Sequence, residues 1–304
     1  LLVSRLLDDF KIIALGTDYS RIPENIRYHK NFKFYEKNLL QIESSKDFNI
    51  AEPIDVILHL AGAVSGSKIS EVDYFKINAE STRSLVQLAN EKRCSGFGLA
   101  SSVSVYGDHR KSISLLSDRL GKSVYARSKI AAENYCKDCR FPYSIFRIAS
   151  VYGHGTKSFV SKLFSLFKKG FYPQIRSERK KSLIHVNDLT NCLEKWCRNA
   201  SEKDYVRPVY ILSHPEPVTI ASVISEFRNQ NKASFSGIAI PIFGVFVPIF
   251  NLFYKIVRKI RKFPYHDSPL DSLLFSIEIF DGPSWTDLDL KPKWDLRKGI
   301  SEYQ

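Results

Sequence analysis

Apolar and polar positions change period in blocks along the chain, and each period predicts an element. Residues 2–7 carry helical spacing and run into 10–15, an apolar, β-branched run that reads as a buried strand. Further strands are expected at 32–35, at 55–61 (DVILHLA, ending at Gly62), at 96–101 and at 141–148. Between them, 72–92 repeats apolar residues every three or four positions, which predicts an amphipathic helix, and another helix opens near Tyr125. Strands alternating with helices at this spacing predict parallel βαβ units and a doubly wound α/β sheet.

After Gly153 the alternation is irregular. A helix is expected at 159–167, a short strand at 183–186, a helix at 188–198 with Asp188 as its N-cap, a strand at 209–212 and a helix at 220–229. The stretch 238–260 is apolar at first and basic at its end, but Pro241, Gly244 and Pro248 break it, which argues against a membrane-spanning helix. The pattern divides the chain into 1–152 and 153–304, the latter with some segments returning to the sheet.

Composition narrows the classes. With 44% hydrophobic and 25% charged residues in 304, disorder, collagen and coiled coil are excluded. Lys and Arg exceed Asp and Glu by 45 to 32, a net charge of +13. The basic residues gather at 162–169, 176–181 and 255–262 instead of forming one stripe interleaved with aromatics, so nucleic acid is not the expected partner. Peripheral membrane contact through 238–262 stays open as a minor reading. Five scattered cysteines argue against a disulfide framework and for a reducing, cytoplasmic setting. Cys136 and Cys139 form a lone C-x-x-C without the second pair that a zinc site needs, so no metal is expected. The chain opens at Leu1 in mid-pattern and contains no methionine, from which the expectation is a start further upstream.

The chemistry concentrates in Tyr125-Ala-Arg-Ser-Lys129. Four residues on a helix put phenol and ammonium on one face, where the ammonium is expected to lower the Tyr125 pKa towards neutrality and make it a general acid/base. Ser101-Ser102-Val103-Ser104 follows a strand directly, and ligands of open parallel sheets collect beyond strand C-termini. Ser102 is therefore placed to share a reacting oxygen with Tyr125. His59-Leu60-Ala61-Gly62 ends another strand, where small residues admit a cofactor to the backbone. His185, in SLIHV, reads as a satisfied core histidine.

These segments resemble the extended short-chain dehydrogenase/reductases, specifically the NAD-dependent epimerase/dehydratase family acting on nucleotide sugars. The matching pieces, in the family's order, are DVILHLAG at 55–62, NAEST at 78–82, SSVSVYG at 101–107, YARSK at 125–129, RIASVYGHG at 147–155 and KSLIHVNDL at 181–189. The resemblance implies a Rossmann-type fold, with 1–152 as the cofactor-binding domain and 153–304 as mainly the smaller substrate domain, and catalytic roles for Ser102, Tyr125 and Lys129. It also implies NAD or NADP contacts at Thr17, Asp18, Asn38, Leu39, Leu60, Ala61, Gly62, Asn78, Tyr125 and Lys129. Nucleotide-sugar contacts would come from Ser102, Ser104, Tyr125, Ser150 and Lys181, the last facing the substrate diphosphate. A homodimer is a further partner reading.

Departures from the family pattern matter too. Its first strand and Gly-rich phosphate loop have no counterpart in the 304 residues, so the chain as it stands is expected to hold cofactor weakly. Gly16-Thr17-Asp18 stands where an acidic residue would hold the adenosine ribose, and Arg21 could instead accept a 2′-phosphate, which leaves NAD and NADP both open. Ser150 replaces a frequent Asn. Val103 and Ser104 stand where dehydratase relatives carry an Asp-Glu pair. The reading is a UDP-hexose 4-epimerase. The alternatives are an NAD(P)H-dependent 4-keto-sugar-nucleotide reductase, then a steroid- or flavonoid-type reductase, then a non-catalytic nucleotide-binding homologue.

Overall fold

In the computed structural model, residues 1–107, 113–156, 158–175, 180–202, 207–230, 238–242, 277–279 and 284–303 are described. The apolar runs of the first half fold as parallel strands. Strand β1 (Ile12–Gly16) pairs in parallel with β2 (Phe32–Glu36). A second ladder holds β3 (Val56–His59), β4 (Gly96–Ser102) and β5 (Tyr143–Ile148), again all parallel. Short strands follow at β6 (Ser150–Tyr152), β7 (Phe171–Ile175), β8 (Lys180–Lys181) and β9 (Leu183–His185). Then β10 (Val209–Leu212) returns to pair with β5, giving the order β10-β5-β4-β3. Beyond it, β11 (Val218–Thr219) pairs with β8, and β12 (Ile238–Ile242) with β7. The basic-tailed remainder of 238–262 lies outside the described residues past Ile242.

The helices are α1 (Leu2–Leu6), α2 (Glu24–Arg27), α3 (Glu71–Phe75), α4 (Ser81–Lys92), α5 (Val124–Tyr135), α6 (Phe159–Lys168), α7 (Val186–Ser201), α8 (Ile220–Gln230), α9 (Ser284–Asp287) and α10 (Leu296–Ser301). They cover both faces of the four-stranded ladder, so this is the α/β architecture that the alternation predicts. Successive strand residues face opposite layers. Phe97, Leu99 and Ile145 pack with Leu85, Leu88 and Ala132 of α4 and α5, whereas Phe146 and Ile211 pack with Trp196 of α7. On the α7 side of β4 the sequence offers Gly96 and Gly98, and the reason is contact distance. A Cβ on Gly98 would lie 2.8 Å from Trp196 and from Leu58. The Trp196 indole thus packs directly against the strand, donating to Ser144 Oγ at 2.8 Å.

Two expectations need correction. The helix predicted over 72–92 is present but is not α-helical throughout: Lys76–Glu80 forms a π-turn between α3 and α4. Asp188 is not the N-cap of α7. Strand β9 runs straight into that helix, so the cap is His185, whose side chain accepts from Asn187 N at 3.3 Å. Asp188, 1% exposed, accepts instead from the backbone amides of Lys293 and Trp294, each at 3.1 Å.

Those amides begin a C-terminal strap. Trp294 stacks on the His185 ring at 4.2 Å, and His185 Nε2 lies 3.0 Å from Glu302 Oε2. The Tyr303 hydroxyl accepts from Gly153 N at 2.9 Å. His185 is thus a satisfied core histidine, as the sequence predicts. Truncating Asp188→Ala leaves the two part-buried amides of Lys293 and Trp294 without their acceptor, which costs about 1 kcal/mol. The expected result is a lower urea midpoint; an unchanged midpoint would show that water reaches those amides.

Candidate active site

The π-turn explains how Asn78 enters the site. One extra residue in the helical turn redirects the side chains that follow it, a feature often found where function needs a residue out of register. Asn78 is fully buried. Its Oδ1 accepts from Ala63 N at 2.8 Å, while its Nδ2 donates to Ala63 O at 3.1 Å and to Ser128 Oγ at 2.9 Å. This clamps the segment leaving β3 against α5. Leu60, Ala61 and Gly62 lie exposed along that segment, with Gly62 against Asn78 and Lys129. Tyr74 of α3 reinforces the loop by donating to Val64 O at 2.9 Å, and packs with Val124 and Tyr125. The turn at Leu39–Gln41, capped by Asn38 Oδ1 accepting from Leu40 N at 3.0 Å, rests on the π-turn.

Helix α5 brings the other half. Ser123 caps it, its Oγ accepting from Ala126 N at 3.1 Å. Tyr125 and Lys129 then emerge one turn apart. The Tyr125 phenol is hydrogen-bonded to the Ser102 side chain at the end of β4. Burial pushes the phenol above its ordinary value, and the Ser102 bond opposes that. The expected lowering by Lys129 is corrected here: its Nζ donates to Ala100 O at 2.7 Å. Its charge is committed to β4, not to the phenol. Burial brings Lys129 down to about 8, with Glu133 acting the other way. His59, at the end of β3, is buried and brought down to about 3, so it is a neutral imidazole at ordinary pH.

Ser102 Oγ also accepts from Ser104 N at 3.1 Å. Ser104 Oγ is buried and has no hydrogen-bond partner among the described residues, so it is available to a ligand's polar group. Ser150 stands exposed at the start of β6, in register with Leu183. Lys181, two residues before Leu183, is 7% exposed, has its ammonium 4.9 Å from the Phe159 ring, and is brought down by burial to about 8. Thr17 and Asp18 follow β1, both exposed. Asp18 accepts from Ser20 N at 3.0 Å and lies 3.8 Å from Arg21, the Ser20 hydroxyl above all holding its carboxyl below the usual range.

The structure therefore brings Ser102, Tyr125, Lys129, Asn78 and Gly62 together, sets Ser150 and Lys181 in the neighbouring β6–β9 region, and leaves Thr17, Asp18, Asn38 and Leu39 at the ends of β1 and β2. Sequence reasoning missed Ser101, Arg119, Glu133 and Arg147, which form a buried network below this cluster. The signal was available in the Tyr125, Lys129, Glu133 spacing on one helix face. Among the described residues no cluster of His, Cys, Asp or Glu could hold a metal, and no helix is long and apolar enough to cross a membrane. The described cysteines are free thiols.

A family model for the NAD dependent epimerase/dehydratase family matches residues 1–206. The chain belongs to this family. Among curated members it is similar to an uncharacterized UDP-glucose epimerase, YtcB, of Bacillus subtilis (strain 168), 29% identical over 138 residues, covering 43% of this chain and 42% of that protein. It also resembles a dTDP-D-glucose 4,6-dehydratase of Dictyostelium discoideum, 29% identical over 157 residues, covering 45% of this chain and 35% of that one. The matches thus span about two fifths or less of these relatives. Its fold is that of a UDP-glucuronic acid 4-epimerase from Bacillus cereus, with a TM-score of 0.73 at 17% identity over 99% of this chain and 92% of that one. It is likewise that of a UDP-N-acetylglucosamine 4-epimerase from Methanobrevibacter ruminantium M1, with a TM-score of 0.74 at 19% identity over 99% and 93%.

The nicotinamide dinucleotide in the family's description fits the residues found here. Gly62 has no room for a side chain: a Cβ would lie 2.8 Å from Asn78 Oδ1 and 3.1 Å from Lys129 Nζ. The backbone there is the exposed floor of the site, and buried Lys129 lies directly beside it. Gly62→Ala is expected to displace Asn78 or Lys129 and cost about 1–3 kcal/mol. Thermal unfolding together with hydrogen exchange at Ala63 reads this; wild-type values for both would show that the clamp tolerates a methyl group.

Proposed function

We propose that the chain is an NAD(P)-dependent nucleotide-sugar epimerase acting at C4 of a UDP-hexose. The observation that carries this reading is the Ser102–Tyr125 hydroxyl pair at the end of β4, one helical turn from a buried lysine. The nicotinamide, when bound, supplies reversible hydride exchange with carbon. The chain's residues do the rest. Ser102 holds the sugar oxygen, and Tyr125 passes the proton to or from that oxygen. With its pKa raised by burial, Tyr125 rests as the acid, the form that protonates a ketone oxygen. Lys129, buried beside Gly62, would hold the cofactor ribose. Lys181, with Ser150 nearby, takes the substrate diphosphate, for which a desolvated ammonium is a strong charge-assisted donor. Thr17, Asp18, Asn38 and Leu39 serve the adenosine end. Five cysteines present as thiols suit the cytoplasm.

Similarity to a dehydratase does not extend to this chemistry. Removing a C5 proton and expelling a C6 hydroxyl need an added acid and base, and Val103 and Ser104 offer neither near pH 7. Epimerisation and simple reduction remain, and stoichiometry separates them: an epimerase consumes no NAD(P)H over a turnover, whereas a reductase consumes one per product. Tyr125→Phe is expected to lower turnover by about 10²–10⁴-fold with little change in substrate affinity. Near-normal turnover would remove Tyr125 from the mechanism, and release of a 4-keto-6-deoxy sugar would overturn the exclusion of dehydration.

Lys181 gives a separate expectation. Its ammonium is present below about pH 8 and is lost above it. UDP affinity should therefore fall as pH rises through that value in the wild type and be weak and flat in Lys181→Ala. Equal UDP affinities for the two proteins at pH 7 would assign Lys181 to the core alone.

A further inference from the structure

Glu133 has no place in the proton and hydride chemistry, yet it is the most densely bound carboxylate described. It is 1% exposed and accepts from Ser101 Oγ at 2.6 Å, from Arg119 at 3.0 Å, and from Arg147 Nε and Nη2 at 3.1 and 2.8 Å. Arg147 Nη1 in turn donates to the Tyr106 hydroxyl at 2.9 Å, in the turn that follows Ser102 and Ser104. Arg119 also donates to Asn134 Oδ1 at 3.1 Å. One carboxylate thus joins β4, β5, α5 and the loop that leads into α5.

Its position along α5 gives the network its meaning. Tyr125, Lys129 and Glu133 recur at four-residue intervals and share a face. Lys129 binds Ala100 O and Glu133 binds Ser101 Oγ, so two successive residues of β4 are gripped from two successive turns of α5. The next residue on β4 is Ser102. The distance between Ser102 and Tyr125 is therefore set by this pair of grips, not by the hydroxyls themselves.

We propose that Glu133 is a positioning residue, which fixes the end of β4 against α5 and supplies the buried negative charge that keeps Lys129 an ammonium. The ionisable groups facing Lys129 are few. His59 on β3 is neutral, Cys136 on the turn after α5 is a thiol pushed up by burial, and Glu133 is the carboxylate. Arg147 on β5 and Arg119 in the loop bind Glu133 and share its charge. A buried ammonium is held in its charged form by a nearby anion, so removal of the Glu133 charge moves the Lys129 midpoint down.

This inference rests on the proposed function only for its effect on turnover, and the experiment separates the two. The Lys129 side-chain resonance, assigned by its loss in Lys129→Arg, is titrated by NMR in the wild type, Glu133→Gln and Glu133→Asp. The expected order of midpoints is wild type, then Glu133→Asp, then Glu133→Gln. Either variant decides, since the shorter acid keeps the charge that Arg147 needs if the amide does not fold. A wild-type midpoint in either one overturns the proposal. With a UDP-hexose, the alkaline limb of the rate profile should move down in pH by the same amount in each variant. A role confined to packing would scale the rate at every pH and leave the limb in place. Absence of turnover in every protein would sink the proposed function while leaving the NMR midpoints to judge Glu133.

Discussion

A single side-chain amide stands in for a strand at the centre of this molecule. Asn78 satisfies both the N–H and the C=O of Ala63, as a neighbouring β-strand would, and gives its remaining donor to Ser128 on α5. Buried backbone groups need such partners, because each one left unsatisfied costs on the order of 1–3 kcal/mol. The segment after β3 leaves the sheet with its backbone groups satisfied by this amide, and Tyr74 holds the loop beyond. The π-turn aims the amide, Gly62 lets it approach, and Lys129 fits beneath the same bend.

Much of this was legible in the sequence. The parallel strands are stretches such as DVILHLA and GFGLAS, whose β-branched or alternating apolar character suits burial on two faces. Tyr125, Lys129 and Ser102 were legible because helix periodicity and strand ends are geometric rules that a sequence carries directly. The π-turn was not. Residues 76–80 keep the apolar spacing of a continuous helix, and nothing local distinguishes a turn widened by one residue. Nor was the cap of α7, where a histidine performs a task that Asp188 was better suited to by type. There the strand's length decided the boundary, and the carboxylate was drawn away by amides more than a hundred residues further on. Long-range partners of this kind leave no local trace.

The ammonium of Lys129 shows the same limit in electrostatic terms. Spacing alone puts it beside Tyr125, but its donor direction is settled by the strand on which the helix lies. The carbonyl of Ala100 captures it, and the charge balance of the site passes to a residue one turn further along. Side-chain adjacency on a helix gives proximity; the packed neighbour decides what the proximity does.

The C-terminal strap has a consequence for the order in which the chain can fold. Asp188 waits for amides 105 residues downstream, and Gly153 for a hydroxyl 150 residues downstream. Contacts of such sequence separation form late and slow folding. The Asn78 clamp, by contrast, closes across 15 residues to Ala63 and 50 to Ser128. During synthesis the ladder of β3, β4 and β5 can therefore assemble while the cluster around Tyr152 and Leu183 still lacks Leu296, Ile300 and Tyr303. For that interval the second half of the chain is a sticky, half-built surface, and the emergence of residues 293–303 from the ribosome is the event that ends it.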